Sequence, residues 1–142
     1  MVNVSIRKKI LIKLFNRGRV LNIGCGSLKL KNAVNLDINP DVKPDIIADL
    51  NNPLPFKDKS FDVVFAFDII EHVKDPEKLV MEVERVSRRS VWFCLDFDEC
   101  RENWYADPTH ISYMNWKIWK KLFPFPKYIR FKIRGAMMAV KI

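Results

Sequence analysis

Four short stretches carry the residue types that could do chemistry. Residues 20–27 read VLNIGCGS, an apolar run, two glycines around Cys25 and a small polar exit. Glycine has no Cβ, so such a loop turns sharply and lets the backbone lie against a ligand. Asp37, Asp49 and Asp68 each close a separate apolar run, in NLDIN, DIIADL and FAFDII. A carboxylate placed like Asp37 can accept hydrogen bonds from both hydroxyls of a ribose. A phosphate-cradling loop needs GK[ST], which Ser27-Leu28-Lys29 does not supply. A dinucleotide loop needs a further glycine where Lys29 stands. Three carboxylates are also a poor home for a pyrophosphate. The set suits a nucleoside that carries positive charge.

These residues must be positioned by a scaffold, and the apolar pattern predicts one. RVLNIGC, AVNLDIN, PDIIADL, FDVVFAFDII and SVWFCLDF read as five nearly continuous apolar strands. The connection from Gly24 to the second strand is expected to allow a strand–helix–strand hop, and NPDVKP to be little more than a loop. PEKLVMEVERVS reads as a helix with Asp75 as N-cap and Pro76 at its first position. NWKIWKKLF reads as a helix stopped by Pro124, and KYIRFKIRG and AMMAVKI as a final hairpin turning at Gly135. Near the start, Ile6, Ile10, Leu11, Leu14 and Phe15 fall at helical spacing opposite a basic face. A helix packed on the sheet is the plainer reading of that stretch, and a membrane-surface helix the sharper one. Alternation of strand and helix predicts an α/β fold: a doubly wound, Rossmann-like, mostly parallel seven-stranded sheet with a C-terminal antiparallel hairpin strand and helices on both faces. Ligands of such sheets bind at the carboxyl ends of the strands, where the glycine loop and the three acids fall.

S-adenosylmethionine fits the required ligand, since its sulfonium is cationic and its adenosine offers two ribose hydroxyls. At this point residues 20–123 resemble a known family, the class I S-adenosylmethionine-dependent methyltransferases of the broad "type 11" group, in a minimal version. VLNIGCGS resembles the family's glycine loop, and NLDIN the acidic end of its second strand. The stretch ADLNNPLPFKDKSFDVVFAFDIIEHVKDPEKLVMEVERV resembles its longest signature. The resemblance implies that Asn22, Gly24, Cys25 and Gly26 shape the methionine-side loop, Cys25 through its backbone alone. It implies that Asp37, with Ile38 beside it, takes the ribose, that Asp49 and the Leu50 backbone take the adenine, and that Asp68 lies near the methionine end. Asn22 and Leu28 depart from the acid and the third glycine usual there.

DPTHISYMNWKIWKKLF resembles the family segment that closes over the methyl acceptor. His110 is then the candidate general base, with Asp107 and Tyr113 as neighbours. His72, in IIEHV, is a second histidine near the cofactor, or simply a residue that packs at a helix start. Glu71 reads as structural or as an edge of the pocket. Methyl transfer from a sulfonium depends mainly on alignment, so a catalytic triad is not required.

The remaining features bound the setting. The chain has 142 residues, enough for one domain spanning 1–142, and its 49% hydrophobic content rules out a disordered chain. No apolar run is long enough to span a bilayer. Cysteines at 25, 94 and 100 make neither a disulfide framework nor CxxC spacing, so a reduced, cytoplasmic protein without a metal is expected. The net charge of +8 is uneven: residues 1–31 hold eight bases and no acid, while residues 32–100 hold fifteen acids and eight bases. Basic ends and the lack of room for a lid favour a macromolecular acceptor, RNA or protein, over a small molecule. No NPPY-type motif follows strand four. A monomer or homodimer is expected, with no membrane partner. The alternatives are a non-catalytic S-adenosylmethionine-binding or partner subunit of the same fold and, on a similar sheet, a nicotinamide oxidoreductase, against which the missing third glycine argues.

Overall fold

A computed structural model describes residues 5–141. Its strands are β1 (Val20–Ile23), β2 (Ala33–Asp37), β3 (Ile46–Ile47), β4 (Phe61–Phe67), β5 (Ser87–Leu95), β6 (Tyr128–Ile133) and β7 (Ala136–Lys141). They form one sheet in the order β3-β2-β1-β4-β5-β7-β6. The first five run parallel, and β7 lies antiparallel to both β5 and β6. Arg134 and Gly135 both adopt positive φ at the β6–β7 turn, the combination whose twist matches that of the flanking strands. The sheet is the expected one: mostly parallel, seven-stranded, with an antiparallel C-terminal hairpin strand.

Helices lie on both faces, unequally. On one face Leu21, Ile23, Val64, Ala66 and Trp92 are covered by α2 (Pro76–Val86) and α4 (Trp116–Leu122). Leu79, Val80, Val83 and Val86 of α2 are buried there, each worth about 1.5–3 kcal/mol. Asp75 caps α2 by accepting a hydrogen bond from Lys78 N–H at 3.1 Å, with Pro76 in the first turn. On the other face Val20, Val63, Phe65, Val91 and Phe93 are covered by α1 (Ile6–Phe15) and by Leu28 and Leu30. α1 therefore packs on the sheet, and among the described residues no helix is long and apolar enough to cross a membrane. Its inward stripe is offset from the expected one. Leu11 is buried, with Lys8, Ile12 and Phe15 half-buried beside it, while Ile6, Ile10 and Leu14 stay exposed. The offset matters because it carries Lys8 over the end of the sheet.

The hop from Gly24 to β2 contains no helix, contrary to expectation. Two buried asparagines replace it. Asn22 donates its amide to the Leu28 carbonyl at 2.7 Å and to Asn35 Oδ1 at 3.1 Å. Asn35 accepts from Leu30 N–H at 2.9 Å and donates to the Leu30 carbonyl at 3.0 Å. Backbone groups that a helix would satisfy internally are thus satisfied by side chains from the two strands. The β2–β3 connection is, as expected, a loop with a single 3-10 turn at Pro40–Val42. One helix was not anticipated, α3 (Arg101–Ala106), directly after β5.

Candidate functional site

The parallel strands deliver their chemistry to one edge. Gly24 follows β1, Asp37 ends β2, Asp49 follows β3 and Asp68 follows β4. The sheet order reverses between β1 and β4, which opens a crevice at that edge. A cavity of about 530 Å³ lies there, lined by Gly24, Asp37, Ile38, Asp49, Leu50 and Asp68 among others. Six of the nine residues expected to hold a cofactor are therefore brought together.

The other three shape the loop. Asn22 is buried and holds Leu28, as described above. Cys25 turns a buried thiol inward while its N–H donates to the Leu36 carbonyl at 3.1 Å. Burial first, and then the nearby Asp37 charge, push that thiol above its ordinary range. Gly26 donates its N–H to Asp37 Oδ2 at 2.8 Å, and Asn39 N–H donates to Oδ1 at 2.9 Å. Each Asp37 oxygen thus has one internal partner and keeps a lone pair for a ligand. Gly24 adopts φ +60°, and a Cβ there would meet Ile69 Cγ2 at 2.4 Å. Beside Gly26, at φ +49°, a Cβ would meet nothing within 4 Å. The loop is closed toward Ile69 and open beside Asp37. Asp49 Oδ1 accepts from the Asn51 backbone and side chain at 2.9 and 3.0 Å, and Asn51 in turn accepts from Lys74 N–H.

A second cavity, of about 400 Å³, lies between α1, α3 and the end of β5, and Lys8, Asp68, Glu71, Phe97, Asp107 and His110 are among its lining. Asp68 is the one residue that lines both cavities. Lys8 from α1 forms an ion pair with it and lies 5.0 Å above the Phe93 ring. Nothing in the pattern of α1 singles out this lysine, because the contact spans most of the parallel sheet.

Glu71 is the most perturbed acid of the site. Burial first, and the Asp68 charge second, raise its carboxyl to about 8. Its Oε2 accepts from the Cys94 thiol at 2.6 Å, and its Oε1 has no partner. The Glu71 carbonyl accepts from Ile111 and Ser112 N–H at 2.9 and 3.1 Å, which docks the segment after α3 onto the 3-10 turn Ile70–His72.

That docking brings the two histidines together, with ring centroids 4.9 Å apart. His110 stacks on Trp104 and shares its Nδ1 with the Trp104 carbonyl at 3.0 Å. A carbonyl can only accept, so Nδ1 carries the proton and Nε2 is free, 3.8 Å from Asp107 Oδ2. Asp107 Oδ1 accepts from the Thr109 hydroxyl at 2.6 Å and Thr109 N–H at 2.9 Å, and these two bonds hold it below the usual carboxylate range. Tyr113 shares the aromatic neighbours Phe97 and Trp104 with His110. Its hydroxyl donates to Asp98 at 2.7 Å, and its ring meets the edge of Trp104, so it supports the aromatic cluster behind His110. Trp119 is fully buried core, and Tyr105 is exposed on α3. Sequence reasoning missed Lys8, Asn51, Ile69 and Thr109 as wall residues. Only Asn51 had a local signal, its position two residues after Asp49.

Comparison with known proteins follows the same outline. Residues 21–95 match the family model of a methyltransferase domain. Among solved structures, the chain resembles one from a Haloferax volcanii complex of the Trm112 methyltransferase activator with a putative methyltransferase. The TM-score is 0.74 at 14% identity, covering 95% of this chain and 88% of that one. It also resembles a Thermotoga maritima protein described as a SAM-dependent methyltransferase, possible histamine N-methyltransferase, with TM-score 0.70 and 17% identity over 94% of this chain and 86% of that one. A SAM-dependent methyltransferase from Archaeoglobus fulgidus matches with TM-score 0.70 and 20% identity, over 95% and 90% of the two chains. At these identities the likeness speaks for the fold.

Proposed function

The chain belongs to the methyltransferase-domain family, and on that premise we propose that it transfers a methyl group from S-adenosylmethionine to an acceptor held in the cavity between α1 and α3. The observation that carries this reading is the shared wall at Asp68. A nucleoside-sized cavity and a second cavity meet at one carboxylate, at the switch point of the sheet. The residues fit the cofactor: space beside Gly26 lies open next to Asp37, and three carboxylates surround a cavity that would receive a cationic group. S-adenosylmethionine, when bound, supplies an electrophilic methyl on a sulfonium.

The chain's own residues do the rest. Asp37 takes the ribose hydroxyls on its two free lone pairs, with Ile38 as apolar cover. Asp49 and Leu50 hold the base, Asp49 being aimed by Asn51. Asp68 offers negative charge where the two cavities meet, tempered by Lys8. His110 Nε2 takes the acceptor's proton, and Asp107 stabilises the imidazolium that results. Basic residues toward both ends of the chain favour RNA or protein as the acceptor.

Calorimetric titration with S-adenosylhomocysteine, followed by transfer of labelled methyl to RNA and protein extracts, tests the proposal. Micromolar binding and labelling of a macromolecular fraction are expected. Absence of binding up to millimolar concentration overturns the cofactor assignment. Binding with no transfer to any acceptor makes the chain the non-catalytic member of a pair.

A further inference from the structure

We propose that His72, Asp107 and His110 form a binding site for a divalent transition-metal ion of the zinc class, with an open position facing the acceptor cavity. The ligand atoms of the three residues lie within 4.8 Å of one another, although His72 is far from the other two in sequence. Two imidazoles and one carboxylate are a set suited to such ions, with coordination positions left free for another group.

The hydrogen bonds around the set point the same way. Thr109 donates its hydroxyl proton to Asp107 Oδ1, so toward His72 Nδ1, at 2.9 Å, it can only accept. The Thr109 carbonyl, 3.1 Å from the same nitrogen, also only accepts. His72 Nδ1 therefore carries the proton, as His110 Nδ1 does against the Trp104 carbonyl. Both rings are held in the tautomer that leaves Nε2 as a lone-pair donor, the arrangement that supports metal-bound histidine elsewhere. Asp107 is likewise fixed through Oδ1 and leaves Oδ2 free.

A second, independent observation comes from Glu71. Its side chain is only 3% exposed, and its Oε1 has no hydrogen-bond partner. That oxygen lies 3.6 Å from His72 Nε2. The two atoms are too far apart for a hydrogen bond, so the Nε2 lone pair is left free for an ion. Orphaned polar atoms this deeply buried are uncommon and call for a partner. Asp107 and His110 line the acceptor cavity with Glu71, and His72 lines the cofactor cavity, so the ion would sit between the two. Ligands about 2.0–2.2 Å from one tetrahedral ion are about 3.4 Å apart, so the set must close by roughly an ångström on binding. Asp107, at the exposed end of α3, has the room to make that movement.

The role of the ion rests on the methyl-transfer reading; its binding does not. A hydroxyl or thiol acceptor taking the open position releases its proton to solvent, because a bound ion lowers its pKa. The freed electron pair forms the bond to the methyl carbon as the carbon–sulfur bond breaks, with its pair staying on sulfur. In the metal-loaded protein the ion thus replaces His110 as the means of removing the proton.

The test uses untagged, chelator-stripped protein titrated with Co²⁺ and with Zn²⁺, with S-adenosylhomocysteine binding measured on the same metal-free sample. One ion per chain is expected, with visible Co²⁺ bands of low coordination number and no thiolate charge-transfer band. His110→Ala and Asp107→Asn should each weaken Zn²⁺ binding at least about 10-fold. Loss of stoichiometric binding, a thiolate band, or affinity unchanged in both variants overturns the site. Should S-adenosylhomocysteine bind while metal does not, the metal inference fails and the methyl-transfer reading stands. The reverse result removes the methyl-transfer role and leaves the metal site.

Discussion

Replacing Asp37 by alanine is the sharpest probe of the cofactor cavity, because the structure separates its two effects. Within the protein, Asp37 accepts from Gly26 N–H at 2.8 Å and from Asn39 N–H at 2.9 Å. Asn39 is exposed and Gly26 half-buried, so water can reach both donors in the variant. Loss of these two bonds should therefore cost about 1 kcal/mol of folding stability. Toward the ligand, each carboxylate oxygen has a remaining lone pair for one ribose hydroxyl. Charge-assisted bonds of this kind are worth about 1.5–3 kcal/mol together, or about a 10- to 150-fold rise in Kd. Calorimetric titration with S-adenosylhomocysteine reads the second effect, and urea denaturation the first. Asp37→Asn, which keeps one acceptor, should fall between wild type and Asp37→Ala in affinity. An unchanged Kd in a folded Asp37→Ala protein would refute the ribose assignment, and with it the argument that the open space beside Gly26 receives the nucleoside.

Three further outcomes follow from the same geometry. Gly24→Ala puts a Cβ 2.4 Å from Ile69 Cγ2 at φ +60°, whereas Gly26→Ala meets nothing at φ +49°. The second change should cost only the left-handed backbone strain, about 1–2 kcal/mol, and the first clearly more, as read by thermal denaturation; equal costs would contradict the described loop. Lys8→Met removes the cation paired with Asp68. The preference for S-adenosylmethionine over S-adenosylhomocysteine should then rise by up to about fivefold, and a fall would place the sulfonium away from Asp68. Glu71 titrates at about 8 in the folded chain against 4.5 as its ordinary value. Across that window the folded state holds a proton that the unfolded state has lost, so stability falls as pH rises. Glu71→Gln removes this slope, and its advantage should grow to the order of 4 kcal/mol between about pH 5 and about pH 9 in metal-free protein. Parallel stability curves for variant and wild type would show that the carboxyl is not held protonated.

The sheet and the cofactor edge were legible in the sequence because they depend on local signals. A near-continuous apolar run makes a buried parallel strand, and parallel strands place all their carboxyl ends on one edge. Gly24, Asp37, Asp49 and Asp68 needed only to follow their runs to be gathered there. The cap of α2 and the turn at Gly135 are equally local. The absent helix after Gly24 was not legible, since it depends on Asn22 and Asn35 meeting across two strands to hold Leu28 and Leu30. Nor was the acceptor side. Lys8 reaches Asp68 only because α1 packs by its offset stripe, and the Tyr113 hydroxyl finds Asp98 fifteen residues back. His72 meets His110 only because the Glu71 carbonyl accepts from Ile111 and Ser112. Residue order along the chain determined which groups stand at the strand ends. Which of them face one another across the two cavities was decided by long-range packing, because side-chain direction follows the docking of whole elements and has no periodic trace in the sequence.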